Sequence, residues 1–360
     1  MSKYLTIAAV LLSTLAAYRP AAAQLPTATG RQLAMSNPNW MTFIPSTYQH
    51  RAGDKVDLLI NFKGAPQTVW NNAKYADLNT IVVTINYDGL SSTYSTPFSS
   101  NTSLFQSIMD EALTKVRLQA DFSDSFQWNK VGVSSFSAGF GSLREILKQS
   151  TYRNRIDALV MADSLYASLA SDGTAVDSQV ADFKTFATLA ANGSKSFILD
   201  HSSEPVSYAS TTVCANEILA HLGLSATPVD VDGLGPLHFF RRAQLGSFEL
   251  WGEIGDTDPE HWQHLYNIGQ FLKDMPLAKL THFASDFNDD GTVTAADLAT
   301  WAGGFGSGAM ADADGDGDTD GADFLTWQRQ LGAQPASDVA TIAAPEPQSL
   351  ALLLVAGLTV

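Results

Sequence analysis

The stretch VGVSSFSAGFGSLREIL, residues 131–147, constrains this chain more than any other. It opens on alternating apolar residues, passes through a run of small ones and continues with the spacing of an amphipathic helix. Ser-Phe-Ser-Ala-Gly stands where the period changes, with Ser137 at its centre. A strand that bends sharply into a helix, with a serine at the bend, is the local geometry of a nucleophile elbow. Such a bend leaves room only for small neighbours. Ser135 and Gly139 stand two residues either side of Ser137, and Gly141 permits close packing of the helix. Ser135 takes the place of the usual first glycine and brings a Cβ there. Serine-rich turns are common, so the rest of the chain has to decide what this one does.

From about residue 25 to 280 apolar strand-like runs alternate with helical ones. VDLLINF (56–62), TIVVTINY (80–87), the run before Ser137, IDALVMA (156–162), SKSFILD (194–200) and GSFELWGEIG (246–255) read as strands. Residues 102–119 and 260–273 read as helices, the second with Leu265, Ile268, Phe271 and Leu272 on one face. Continuous apolar strands interleaved with helices predict a mainly parallel sheet with helices on both faces, an α/β fold.

The formal charge of −16 is concentrated. Ten aspartates and no Lys or Arg lie between Asp286 and Asp323, which speaks against nucleic acid as a partner and for a cation. The single cysteine, Cys214, rules out an intramolecular disulfide framework and zinc–thiolate clusters. Residues 1–23 read as an export signal: Lys3, an apolar run YLTIAAVLLSTLAA too short for a bilayer span, and Ala21-Ala22-Ala23 for cleavage. The expected division is a signal peptide at 1–23, an α/β domain at 24–280, an Asp- and Gly-rich repeated module at 281–334, and a tail at 335–360.

An elbow serine needs a histidine to take its proton and an acid to orient that histidine. Ser137, acids at later strand ends, and histidines after the last strand stand in the order Ser, acid, His. On these residues the chain resembles the α/β-hydrolase family over roughly residues 40–280. The resemblance implies Ser137 as nucleophile and a base in the loop Gly255-Asp-Thr-Asp-Pro-Glu-His261-Trp-Gln-His264. His261 leads there, with His264 one helical turn on as the alternative. Two acids compete. Asp163 ends the strand after the elbow helix, and ALVMADSLYAS resembles secreted bacterial relatives with an acid there. Asp200 ends the next strand, the commoner family position, with Glu204 close behind. Asp163 leads narrowly, and LDHSSEPVSYAST reads as a histidine-serine segment. The oxyanion donors would be the amides of Ala138 and of Gly64-Ala65, where Lys63 replaces the histidine of the family's His-Gly motif.

DFNDDGTVTAAD (286–297) and DADGDGDTDGAD (312–323) repeat one pattern of oxygen side chains at loop positions 1, 3, 5, 9 and 12 with Gly at 6. In the first loop these are Asp286, Asn288, Asp290, Thr294 and Asp297 around Gly291. In the second they are Asp312, Asp314, Asp316, Asp320 and Asp323 around Gly317. Thr292 and Asp318 would each add a backbone carbonyl. Calcium takes six to eight hard oxygens on a sharply wrapped chain, so two structural Ca²⁺ sites are expected. Each loop leads into a helix, DLATWAGGF or DFLTWQRQL. Paired loops of this form resemble a type I dockerin, which implies a cohesin-like protein partner. Pro345-Glu346-Pro347 and the apolar run after it resemble a PEP-CTERM sorting signal, which implies transient membrane or cell-surface anchoring.

Together these features predict a secreted or cell-surface bacterial serine hydrolase acting on a small-molecule or polymer-linked ester, with no cofactor for catalysis. The rival class is a non-catalytic α/β binding protein displayed through its docking module. Specificity is expected in the loops 88–101 and 164–193.

Overall fold

Ten strands form one sheet in the computed structural model, which describes residues 25–335. They are β1 (Gly30–Ala34), β2 (Trp40–Pro45), β3 (Lys55–Phe62), β4 (Thr80–Ile85), β5 (Gln127–Phe136), β6 (Ala158–Ala162), β7 (Ser196–His201), β8 (Thr227–Asp232), β9 (His238–Leu245) and β10 (Phe248–Glu253). Their order is β1-β2-β4-β3-β5-β6-β7-β10-β9-β8. From β4 to β10 every neighbour is parallel. The outer pairs, β1–β2, β2–β4, β10–β9 and β9–β8, are antiparallel. The export segment and the PEP-CTERM-like run lie outside the described residues. Among the described residues no helix is long and apolar enough to cross a membrane.

The helices are α1 (Pro66–Tyr75), α2 (Ser91–Ser100), α3 (Leu104–Arg117), α4 (Phe140–Lys148), α5 (Ser150–Arg155), α6 (Asp177–Ala191), α7 (Thr211–Leu222), α8 (Asp258–Tyr266), α9 (Gly269–Leu272), α10 (Ala295–Gly304) and α11 (Gly321–Gln330). Alternate side chains of the central strands feed two apolar layers, as the period of two requires. Leu58, Ile60 and Phe62 of β3 pack with α2 to α7, whereas Leu59 packs with α1, α8 and α9. Both faces are therefore covered, which is why these strands read as unbroken apolar runs.

Three local expectations change. The outer strands β1, β8 and β9 carry mostly exposed or half-buried residues such as Arg31, Asp230 and Arg242, so they lack the apolar signature of the centre. The helix expected over 260–273 is two, α8 and α9. Buried Asn72 breaks it by accepting from the Gly269 amide at 2.7 Å while its own amide turns toward the Leu265 and Tyr266 carbonyls. The expected loops 88–101 and 164–193 are largely α2 and α6. The first is Ser/Thr-rich with Pro97 inside, a poor helix former in isolation. It is held by buried Tyr94, whose hydroxyl donates to the Tyr87 carbonyl, and by buried Phe98.

Residues 286–330 hold two loop-and-helix repeats related by side-chain exchange. Trp301 of α10 donates to the Asp320 carbonyl at 2.8 Å, and Trp327 of α11 donates to the Thr294 carbonyl at 2.8 Å. Each tryptophan thus closes the other repeat's loop at the same loop position.

Candidate active site

The chain enters the bend at the carboxyl end of β5, the central region of the sheet where open α/β folds gather ligands. Ser137 has φ +49°, a left-handed conformation that a non-glycine residue adopts at a cost of about 1–3 kcal/mol. It begins a single 3-10 turn, Ser137–Gly139, that runs into α4. A Cβ on Gly139 would collide with the Phe62 carbonyl, and one on Gly141 with the Ser91 carbonyl. Ser135 causes no such conflict. Its hydroxyl meets that of Ser164 at 2.8 Å, and Ser164 donates to the Ser137 carbonyl at 2.8 Å. The residue that departs from the glycine pattern is thereby part of a hydrogen-bonded brace on the bend.

His261 is delivered by α8, whose start is fixed by a capping box between Thr257 and Glu260. Its Nδ1 lies 2.6 Å from Asp163 Oδ2, and its ring stacks on Phe136 at 4.6 Å between centroids. Asp163 follows β6 with φ +40° and is fully buried. Its Oδ1 accepts from the Ser202 amide at 2.9 Å and from the Thr211 hydroxyl. Burial alone would raise its carboxyl; the His261 hydrogen bond and the charges of His264 and His261 outweigh burial and hold it well below the usual carboxylate range.

The alternative pair, His264 and Asp200, is also assembled, one layer deeper. His264 Nδ1 lies 2.8 Å from Asp200 Oδ1, and both residues are buried. The same Oδ1 accepts from the Asp163 amide at 2.7 Å. His264 Nε2 lies 3.6 Å from Glu253 Oε2. Burial works to lower the His264 pKa, but the Asp200 and Glu253 carboxylates raise it well above the ordinary histidine value. The histidine-serine segment after β7 sits behind this layer. His201 is buried and accepts from Arg241 Nε at 2.8 Å through Nε2, while Nδ1 faces the Ser202 carbonyl at 2.8 Å.

Lys63 leaves β3 with φ +66°. Asn61 holds its carbonyl at 3.1 Å, and the Gly64 amide is taken by Asn86 at 3.0 Å. The Gly64 amide is thus engaged, leaving Ala65 as the candidate donor of that loop. Ala138 is in the first turn of its helix, where backbone N–H groups have no intrahelical partner.

Ser137, Ala138 and His261 line one cleft of about 560 Å³, together with Lys63, Arg144, Tyr166, Glu204, Tyr208 and Trp262 among others. Asp200 and His264 do not line it. Glu204 is drawn in closely: one atom each of Asp163, Glu204 and His261 lie within 4.8 Å of one another. Tyr166, Tyr208 and Trp262 carry no sequence signal, because they reach the cleft from segments remote in the chain, and Arg144, on the helix that follows Ser137, belongs to no motif.

In the acidic repeats Asp286 accepts from the amides of Asp290 and Gly291, and Asp312 from those of Gly315, Asp316 and Gly317. Gly291 and Gly317 have φ +85° and +96°, the left-handed turn that glycine permits. Asp297 and Asp323, at position 12, are buried and double as the third helical residue of capping boxes with Thr294 and Asp320. Carboxylate atoms of Asp312, Asp314 and Asp323 lie within 4.8 Å of one another, as do those of Asp318, Asp320 and Asp323. Neighbouring carboxylates, Asp316 first, push the Asp318 carboxyl up. A hard divalent cation fits this donor set.

No protein-family model and no curated protein matches the chain. Solved structures resemble it at a distance. A feruloyl esterase module from Clostridium thermocellum is 13% identical, with 71% of this chain and 91% of that one covered and a TM-score of 0.40. An enterochelin esterase from Shigella flexneri is 12% identical, covering 71% and 59%, with a TM-score of 0.41. A cold-adapted esterase from an Arctic intertidal metagenomic library is 11% identical, covering 69% and 93%, with a TM-score of 0.37. It is the strand order and the bend after β5, not these distant likenesses, that define the architecture. The fold is α/β, a mainly parallel sheet with helices on both faces. The end of β7 carries Asp200, which bonds the Asp163 backbone and His264 instead of His261.

Proposed function

We propose that the chain is a serine hydrolase that cleaves esters through an acyl-enzyme. The observation that carries this reading is the 2.6 Å contact of His261 Nδ1 with Asp163 Oδ2 beside a serine in left-handed backbone geometry in the same cleft. With Nδ1 committed to Asp163, His261 Nε2 is the nitrogen free to take the Ser137 proton. Ser137 Oγ then attacks the ester carbonyl, and the amides of Ala138 and Ala65 stabilise the oxyanion. His261 returns the proton to the leaving alcohol, and water releases the acyl group by the same steps in reverse. A serine-directed phosphonate is expected to label the wild type and not Ser137→Ala. Absence of labelling in both would leave a non-catalytic binding protein as the reading. Ester turnover should be abolished in His261→Ala and retained in part in His264→Ala.

The rest of the chain supports a setting for this activity. The export signal favours action outside the cytoplasm, and the tail favours cell-surface anchoring. The repeats of residues 281–334 form a dockerin-like module that holds two Ca²⁺ ions through the twelve residues named above and docks a cohesin-like protein. A polymer-linked ester is a fitting substrate for a hydrolase tethered in this way.

A further inference from the structure

The cleft carries charge of both signs, and the two signs are segregated by element. Glu204 and Asp258 stand beside His261, the first within 4.8 Å of its neighbours and the second at the start of the same helix. The cations are Lys63, after β3, and Arg144, seven residues beyond Ser137 on α4. At 1.5 Å of rise per residue Arg144 stands roughly 10 Å along the helix from the nucleophile.

Arg144 has no counter-ion. No carboxylate lies within 4.0 Å of its guanidinium among the described residues, and adjacent Glu145 is taken by Lys148 at 2.8 Å. Among the described residues its one hydrogen-bond acceptor is the Tyr166 carbonyl, reached through Nη2. Its Nε is buried without a partner, and the group lies over the Phe140 ring at 4.8 Å. Lys63 likewise has no carboxylate within 4.0 Å among the described residues, and the Asp88 charge acts on it only from farther away. Half-buried cations without counter-ions are costly to keep, and in a binding cleft they are matched by an anionic ligand.

We propose that the cleft selects esters whose acyl chain ends in a carboxylate, with Arg144 as the anchor for that carboxylate. The inference rests on the serine-hydrolase reading of the same cleft. The anion belongs on the acyl side for a chemical reason. His261 hands its proton to the departing alcohol, so the alcohol leaves past Glu204 and Asp258, which repel a negative group. The acyl part extends away from them, and a guanidinium two helical turns from Ser137 pairs with its distal carboxylate through charge-assisted hydrogen bonds. Lys63, which lines the same cleft, adds to its positive field. The substrates are therefore half esters of medium-chain α,ω-dicarboxylic acids in preference to simple fatty acyl esters.

The test compares 4-nitrophenyl half esters of glutaric, suberic and sebacic acids with their methyl-capped counterparts, on the full chain. Wild type is expected to favour the best half ester over its capped form by about tenfold or more in kcat/KM, the scale of a hydrogen bond to a charged group. In Arg144→Gln the ratio falls to about one, and in Arg144→Lys it is partly kept. The ratio cancels any general damage to the site. A wild-type ratio near one, or one that Arg144→Gln leaves unchanged, overturns the proposal. Calorimetric titration of Ser137→Ala with suberic acid monomethyl ester and with dimethyl suberate reads the same preference without hydrolysis. Equal affinity for the two ligands would also overturn it, whereas loss of turnover with preference for the monoester intact would count against the hydrolase reading alone.

Discussion

The amide of Asp163 donates to Asp200 Oδ1 at 2.7 Å. The two acids that compete in the sequence for one role are therefore coupled, one facing His261 and the other fixing the backbone of the first. Asp163 needs that support because its φ of +40° is unfavourable for a residue with a Cβ. Two His–Asp pairs result, set one helical turn apart on α8. Of the two histidines only His261, the partner of Asp163, lines the cleft.

Substitutions of the two acids should separate chemistry from support. Asp163→Asn removes the group that fixes the His261 tautomer, and kcat/KM for a neutral ester is expected to fall by about 10³–10⁴-fold. Asp200→Asn leaves His261 with its partner but strips His264 of a buried carboxylate, so stability is expected to drop by about 3–5 kcal/mol. Its kcat should fall by no more than roughly tenfold, a share of the larger loss seen when the tautomer itself is wrong. Steady-state kinetics beside urea denaturation measure both. A larger kinetic loss in Asp200→Asn would reverse the assignment of the acid.

Two buried histidines pull stability in opposite directions with pH. Burial first, then the Arg241 charge, push His201 down to about 3. An unfolded histidine titrates near 6.5, so between about pH 3 and 6.5 the unfolded chain binds a proton that the folded chain does not. Stability therefore rises with pH across that window. His264 behaves in the opposite sense, its pKa being raised by Asp200 and Glu253 against the effect of burial. Below about pH 6.5 both states hold its proton and its contribution is complete. Above that value only the folded state holds it, and stability falls as pH rises through the folded pKa. The urea midpoint should thus peak near about pH 6.5. His201→Gln should flatten the rising limb above about pH 5, where most carboxylates are already ionised, and His264→Gln the falling one. A monotonic midpoint over this range in the wild type would contradict the assignment.

Glycine substitutions of opposite sign test the packing of the bend. In Gly139→Ala the new methyl meets the Phe62 carbonyl and Cβ, so a loss of about 1–3 kcal/mol is expected, with kcat falling more than KM rises because Ser137 is displaced. Gly303 lies inside α10 with nothing within 4 Å of an added Cβ, and its replacement by alanine should stabilise the module by about 0.5–1 kcal/mol. Thermal unfolding of both variants decides. A stabilised Gly139→Ala would mean that the contact between the turn and Phe62 yields more easily than its geometry implies, and a destabilised Gly303→Ala that α10 is packed there after all.

How much of this was legible in the chain depends on whether burial or local bonding selects a residue. The central strands were visible because both faces are covered and apolar residues fill most of their positions. The bend at Ser137 was visible because only small residues fit beneath the Phe62 carbonyl. The outer strands were not, since half their side chains face water. Nor was α2, whose helicity comes from docking Tyr94 and Phe98 and not from propensity. At the site, Ser137, Asp163 and His261 follow from order along the chain, but the choice between two acids turns on hydrogen bonds spanning 98 and 64 residues. Ser135 reads as a defect in the glycine pattern until Ser164 is seen to accept from it. Glu204 enters the cleft only through the packing of a distant segment, and Arg144, although on the elbow's own helix, carries no motif that marks it.

The exchange of tryptophans between the acidic repeats makes the calcium requirement of the module testable. Trp301 and Trp327 bond carbonyls of Asp320 and Thr294, each within the opposite loop, so the loops and both helices should form or fail together. The clustered aspartates stand on those loops and on the first turn of α11, and without a cation the carboxylates of Asp312, Asp314 and Asp323 repel at less than 4.8 Å. Removal of Ca²⁺ with EGTA is therefore expected to open residues 281–334 to proteolysis while a resistant fragment ending near residue 280 keeps its ester turnover. Asp323→Ala, which deletes the acceptor for the Ala313, Asp314 and Asp320 amides, should give the same digest with Ca²⁺ present. Mass spectrometry of the fragments reads the result. A digest identical with and without Ca²⁺ would mean that the tryptophan bonds and the capping boxes hold the repeats without metal.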